Sequence, residues 1–111
     1  MELANTVVDI LEEKKAENIL LLDIQEVASF ADYFIICSGT SERMLDGLSD
    51  AVLKQVKQEY SFSGKLEGGT GEGWLLIDLG DVVVHLFSAE QRKYYRLEEL
   101  WNQGKVVLHL L

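Results

Sequence analysis

A chain of 111 residues with 48% apolar and 26% charged side chains has the balance of one globular domain, able to bury on the order of 65% of its unfolded surface. Its 19 acidic and 10 basic side chains give a formal charge of −9, which disfavours a nucleic-acid phosphate backbone as a direct partner and favours a basic protein. The apolar runs fall far short of the roughly 20 residues that span a bilayer, the start Met1 to Asn5 lacks the basic and apolar blocks of a targeting peptide, and a lone cysteine suits a reducing cytosol.

Leu3, Val7, Ile10 and Leu11 recur at helical spacing, predicting an amphipathic helix over about 3 to 16 that Glu17-Asn18 ends. The unbroken run Ile19 to Ile24 reads as a strand covered on both faces. After a polar connection, Tyr33 to Cys37 is aromatic and β-branched and stops at Ser38-Gly39, predicting a second strand with Cys37 as a buried thiol. Thr40 or Ser41 can cap a long helix whose Met44, Leu48, Val52 and Val56 form one stripe, widened by Leu45 and Ala51. Close packing would account for Gly47 inside it.

Tyr60 to Leu66 alternates weakly, as an edge strand would, and Gly68 to Gly73 reads as a flexible loop. Trp74 to Asp78 and Asp81 to Phe87 are two strands of a hairpin with Leu79-Gly80 as its two-residue turn. Ser88 to Gln91 has capping-box spacing, so a short helix starts there and carries Tyr94 and Tyr95, and a second follows over Leu97 to Trp101. The final residues 105–111 are too apolar to stay unpacked. This order predicts an α/β (α+β) domain over residues 1–111, with a mixed sheet of about five strands, flanked by helices. A right-handed crossover through the long helix supplies a parallel pair.

With that turn, Trp74 opposes His85, Leu76 opposes Val83 and Asp78 opposes Asp81. One hairpin face is then aliphatic (Leu75, Ile77, Val82, Val84) and the other mixed (Trp74, Leu76, Asp78, Asp81, Val83, His85). A tryptophan on a strand is more often core than contact, and a lone histidine more often half-buried. Their grouping with aliphatic and acidic neighbours nevertheless has the composition of an interface.

Catalytic signals are weaker. Gly39-Thr40-Ser41 joins a strand to a helix start but lacks the glycine pattern and lysine of a P-loop. His85 and His109 are too few for a metal centre, and Cys37 in an apolar strand is a poor nucleophile for a His85 base. No cofactor or metal site is expected.

The blocks Asp32 to Ser41, Gly73-Trp74, Asp78 to His85, Tyr94-Tyr95, Leu97-Glu98 and Leu100-Trp101 together closely resemble the ribosomal silencing factor, or Iojap-related, family. The resemblance implies a nucleotidyltransferase-like fold without the paired catalytic carboxylates. It further implies a cytoplasmic repressor, not an enzyme, that binds large-subunit ribosomal protein uL14 and blocks small-subunit joining when nutrients are scarce. An assembly role through the same contact, or residual nucleotide binding, are the alternatives. On this basis Trp74, Leu76, Asp78, Asp81 and His85, extended by Tyr94, Tyr95, Leu97 and Leu100, are the expected contact residues. Family members form dimers in isolation, and the apolar tail is a candidate contact.

Overall fold

Each apolar run of the sequence becomes a strand of one six-stranded sheet. The computed structural model describes residues 2–95 and 104–110. In chain order they form α1 (Glu2–Glu13), β1 (Glu17–Asp23), β2 (Tyr33–Gly39), α2 (Glu42–Tyr60), β3 (Lys65–Gly69), a 3-10 turn (Thr70–Glu72), β4 (Trp74–Asp78), β5 (Val82–Ser88), α3 (Ala89–Tyr95) and β6 (Lys105–Leu110). The sheet runs β3-β4-β5-β2-β1-β6. Every neighbouring pair is antiparallel except β2 and β5.

The sheet is one strand wider than the sequence predicts, because residues 105–110 of the apolar tail form β6 against β1. The crossover also differs. The long helix does not connect adjacent strands: α2, β3 and β4 all lie between the parallel partners β2 and β5, so the connection carries two strands as well as a helix.

On one face, α1 and α2 pack through Ala4, Val7, Ile10, Leu11, Leu45, Leu48, Val52 and Val56 onto Ile19, Leu21, Ile35, Cys37, Leu75, Ile77, Val84 and Leu86. These are alternate residues of their strands, as a pleated sheet requires. Thr6 and Tyr60 share a hydrogen bond of 2.8 Å that ties the two helices together. On the other face Leu20, Leu22, Phe34, Ile36, Val83 and Phe87 form a second cluster.

Several boundaries depart from expectation for local reasons. α1 stops at Glu13, since Lys15 turns left-handed (φ 71) and the Ala16 N–H caps the Leu11 carbonyl at 2.9 Å; Glu17 and Asn18 already belong to β1. Ser41 caps α2, accepting from the Met44 N–H at 3.1 Å. Gly47 is exposed, with nothing near where a Cβ would sit, so close packing is not its role and the structure gives no other. Tyr60 ends α2 instead of starting a strand, and Ser61 terminates the helix with φ 54. Gly68 and Gly69 close the edge strand β3, so the glycine segment is part strand and part 3-10 turn, not one loop.

The hairpin register is two residues away from the expected one. Trp74 opposes Phe87, Leu76 opposes His85 and Asp78 opposes Val83. Leu79 is buried and its N–H donates to the Val82 carbonyl at 2.9 Å, leaving Gly80 and Asp81 to turn the chain. Gly80 has φ 84, which suits the first position of such a turn. A shift of two preserves which residues share a face, so the division into an aliphatic and a mixed face stands while Asp78 and Asp81 are not opposed. The expected helix at Leu97 to Trp101 lies outside the described residues.

Candidate functional surface

The mixed face of the hairpin belongs to the side of the sheet that α1 and α2 leave uncovered. Trp74 and Leu76 are half-buried against the second cluster, while Asp78 is exposed at the end of β4. Trp74 lies over Gly68, where φ is 88 and a Cβ would come within 2.6 Å of the indole. Only glycine meets both conditions, so the β3 edge is shaped around this ring.

Asp78 accepts from the Gly80 N–H at 2.9 Å and so rigidifies the turn beside it. Asp81 is exposed in that turn, and its carbonyl accepts from the N–H groups of Asp32 and Tyr33 at 2.8 and 3.0 Å. The hairpin tip is thereby fixed to the start of β2.

His85 is not at the surface. It is only 7% exposed, lies 4.7 Å from the Phe34 ring and stacks on Phe87 at 6.0 Å with the planes 2° apart. Both ring nitrogens lack a hydrogen-bond partner among the described residues. Burial lowers its pKa to about 4, so the ring is neutral at pH 7 and lies beside Leu76, its partner on the neighbouring strand. Tyr94 and Tyr95 end α3, but their side chains lie outside the described residues, as do Leu97 and Leu100.

Sequence reasoning missed the residue that seats α3. Arg92 is buried and donates from Nη1 to the Asn18 carbonyl and, at 3.2 Å, to Ser38 Oγ. Asn18 Oδ1 in turn meets His109 Nε2 at 2.6 Å, so one β1 residue links α3 to β6. The capping box announces the start of α3, where Ser88 Oγ accepts from the Gln91 N–H at 3.1 Å. A buried arginine inside it carries no sequence signal.

The geometry also bears on catalysis. Cys37 and His85 project from opposite faces of the sheet, since Cys37 pairs with Leu86 and His85 with Ile36. Burial pushes the Cys37 thiol up to about 12, outweighing the nearby Arg92 cation. The cleft beside the Gly39 to Ser41 turn measures about 280 Å³ and is lined by Ser41, Glu42, Glu72, Ser88 and Glu90 among others. Three carboxylates repel a triphosphate, and both serine hydroxyls are already engaged as helix caps. No described helix is long and apolar enough to cross a membrane.

Comparison with known proteins identifies the family. Residues 1–109 match the family described as "Ribosomal silencing factor during starvation". The ribosomal silencing factor of Halalkalibacterium halodurans is 42% identical over 107 residues, 96% of this chain and 91% of that protein. The mouse protein named for mitochondrial assembly of the ribosomal large subunit is 35% identical over 98 residues, 86% of this chain and 43% of its own length. A crystal structure of a Chromobacterium violaceum protein superposes with a TM-score of 0.86 at 31% identity, covering 91% of this chain and 84% of that one. A match over almost the whole chain, on the same fold, places this protein in the ribosomal silencing factor family.

Proposed function

We propose that the protein represses translation by docking on ribosomal protein uL14 of the large subunit and standing where the small subunit would join. The observation that carries this reading is the hairpin surface. Trp74 and Leu76 are partly open apolar groups on a strand that ends in exposed Asp78, on a chain of net charge −9. A basic ribosomal protein offers the complementary potential, while ribosomal RNA repels the approach from other directions. Inhibition needs no chemistry, only occupancy.

Pelleting large subunits through sucrose with the purified protein tests the contact, small subunits serving as control. Co-sedimentation with large subunits alone is expected, and Trp74→Ala should weaken it at least about thirtyfold, the cost of a central aromatic anchor. A folded Trp74→Ala protein that pellets as well as wild type would remove the anchor from this reading.

The mouse relative's name favours a second reading, in which the same contact serves assembly of the large subunit. A subunit-joining assay separates the two: silencing requires that mature large subunits bound to the protein fail to pair. In its free form the protein self-associates, on the same reading, along the outer edge of β6, where Val106 and Val107 are exposed. Sedimentation that finds only monomer at high concentration would exclude this.

A further inference from the structure

The connection between β1 and β2, polar by expectation, is a closed and partly apolar loop. At its base the Ile24 N–H donates to the Asp32 carbonyl at 2.9 Å, and the N–H groups of Val27 and Ala28 both reach the Ile24 carbonyl, at 3.1 and 2.9 Å. Ile24 and Ala31 plug it into the second core cluster. Ala28 also packs against that cluster, whereas Val27 is 37% and Phe30 61% exposed. Such exposure on a hydrogen-bonded loop differs from the scattered apolar residues of any surface, because binding there has little backbone left to order.

The surroundings are acidic. Glu26 and Asp32 lie in the loop itself, Asp23 precedes it, and Asp81 is held against it through its carbonyl. Lys105 stands 3.8 Å from Glu26, but both side chains are largely in water, so the pair is weak, and one lysine leaves the carboxylates in excess. A cleft of about 190 Å³ opens beside Val27, with Asp23, Gln25, Glu26 and Lys105 in its walls. The loop also continues the proposed docking surface, for the Phe30 ring meets Phe34 at 5.9 Å, and Phe34 contacts His85 beneath the hairpin face.

We infer that this loop is a second anchor for the ribosomal-protein partner, with Phe30 and Val27 entering an apolar recess rimmed by lysine or arginine. The inference rests on the docking reading above. The carboxylates select the occupant: they repel nucleic acid and anionic lipid, and a second copy of the chain would set like charges against one another. A basic protein surface with an apolar recess is what remains.

The test measures affinity for purified large subunits by co-sedimentation at several salt concentrations, using the full chain. The double variant Val27→Ser/Phe30→Ser is expected to bind about tenfold more weakly, in keeping with loss of an aromatic anchor. Glu26→Lys is expected to bind more weakly at low salt and to show a shallower salt dependence. Its side chain is 80% exposed, so it keeps the test decisive should the double variant unfold. Wild-type affinity in the folded double variant, or an unchanged salt dependence in Glu26→Lys, would overturn the role of the loop while leaving the Trp74 contact intact. Failure of the wild-type protein to pellet would overturn both.

Discussion

Phe87→Ala is expected to lower the unfolding free energy by about 4 kcal/mol, the usual cost of emptying a buried aromatic site. Phe87 is almost wholly buried, lies opposite Trp74 on the neighbouring strand and stacks on His85. Its removal opens a cavity beside both. Denaturant unfolding followed by circular dichroism measures the change, and the midpoint should fall while its slope stays constant. Against a total stability of about 5–15 kcal/mol, the variant would retain a folded population but a depleted one. A loss below about 1 kcal/mol would mean that the second face of the sheet is not a packed core. Partner binding by the folded fraction should also weaken, because the indole of Trp74 would lose a member of the cluster that it packs against.

Acidification should expose the second weakness of the same cluster. Burial holds the pKa of His85 at about 4, against about 6.5 for a free histidine. Between these values the unfolded chain binds a proton that the folded chain refuses. Stability therefore falls as pH drops through this window, is unaffected by this group above about 7 and becomes flat again below about 4. The full contribution is about 3 kcal/mol at 1.36 kcal/mol per pH unit. His85→Phe should remove it, so the difference between wild-type and variant unfolding free energies, measured from pH 7.5 to 4, isolates the histidine from the many carboxylates. Parallel curves for the two proteins would show that the ring is solvated or partnered when folded.

Much of this architecture is legible in the residues because burial imposes periodicity. β2 and α2 are dense in apolar positions, and each has a visible stop or cap. The two faces of the hairpin are legible for a subtler reason: alternation survives a register shift of two, so partners can be misassigned while faces are not. The register itself depends on burial of Leu79 and on the two hydrogen bonds that draw the Asp81 carbonyl to β2, contacts between distant segments. Likewise the end of α2 depends on Tyr60 meeting Thr6 across 54 residues.

The candidate surface was less legible than the fold. Composition cannot separate His85, which is buried, from Trp74, which is half open, because both sit on one face of the hairpin. Val27 and Phe30 stand in a segment read as a polar connection, although Val27, Ala28 and Phe30 between Glu26 and Ala31 are a visible sign that it is not merely a linker.

The position of β6 has a consequence for synthesis. β1 hydrogen-bonds on one side to β2 and on the other to β6, which is synthesised after the other five strands of the sheet. Until residues 105–110 emerge, the nascent chain holds Ile19 to Leu22 on a bare strand edge, the arrangement most open to pairing with another chain. A stalled or truncated product that ends before Lys105 would keep that edge permanently. Closure of that edge thus waits on the delivery of β6.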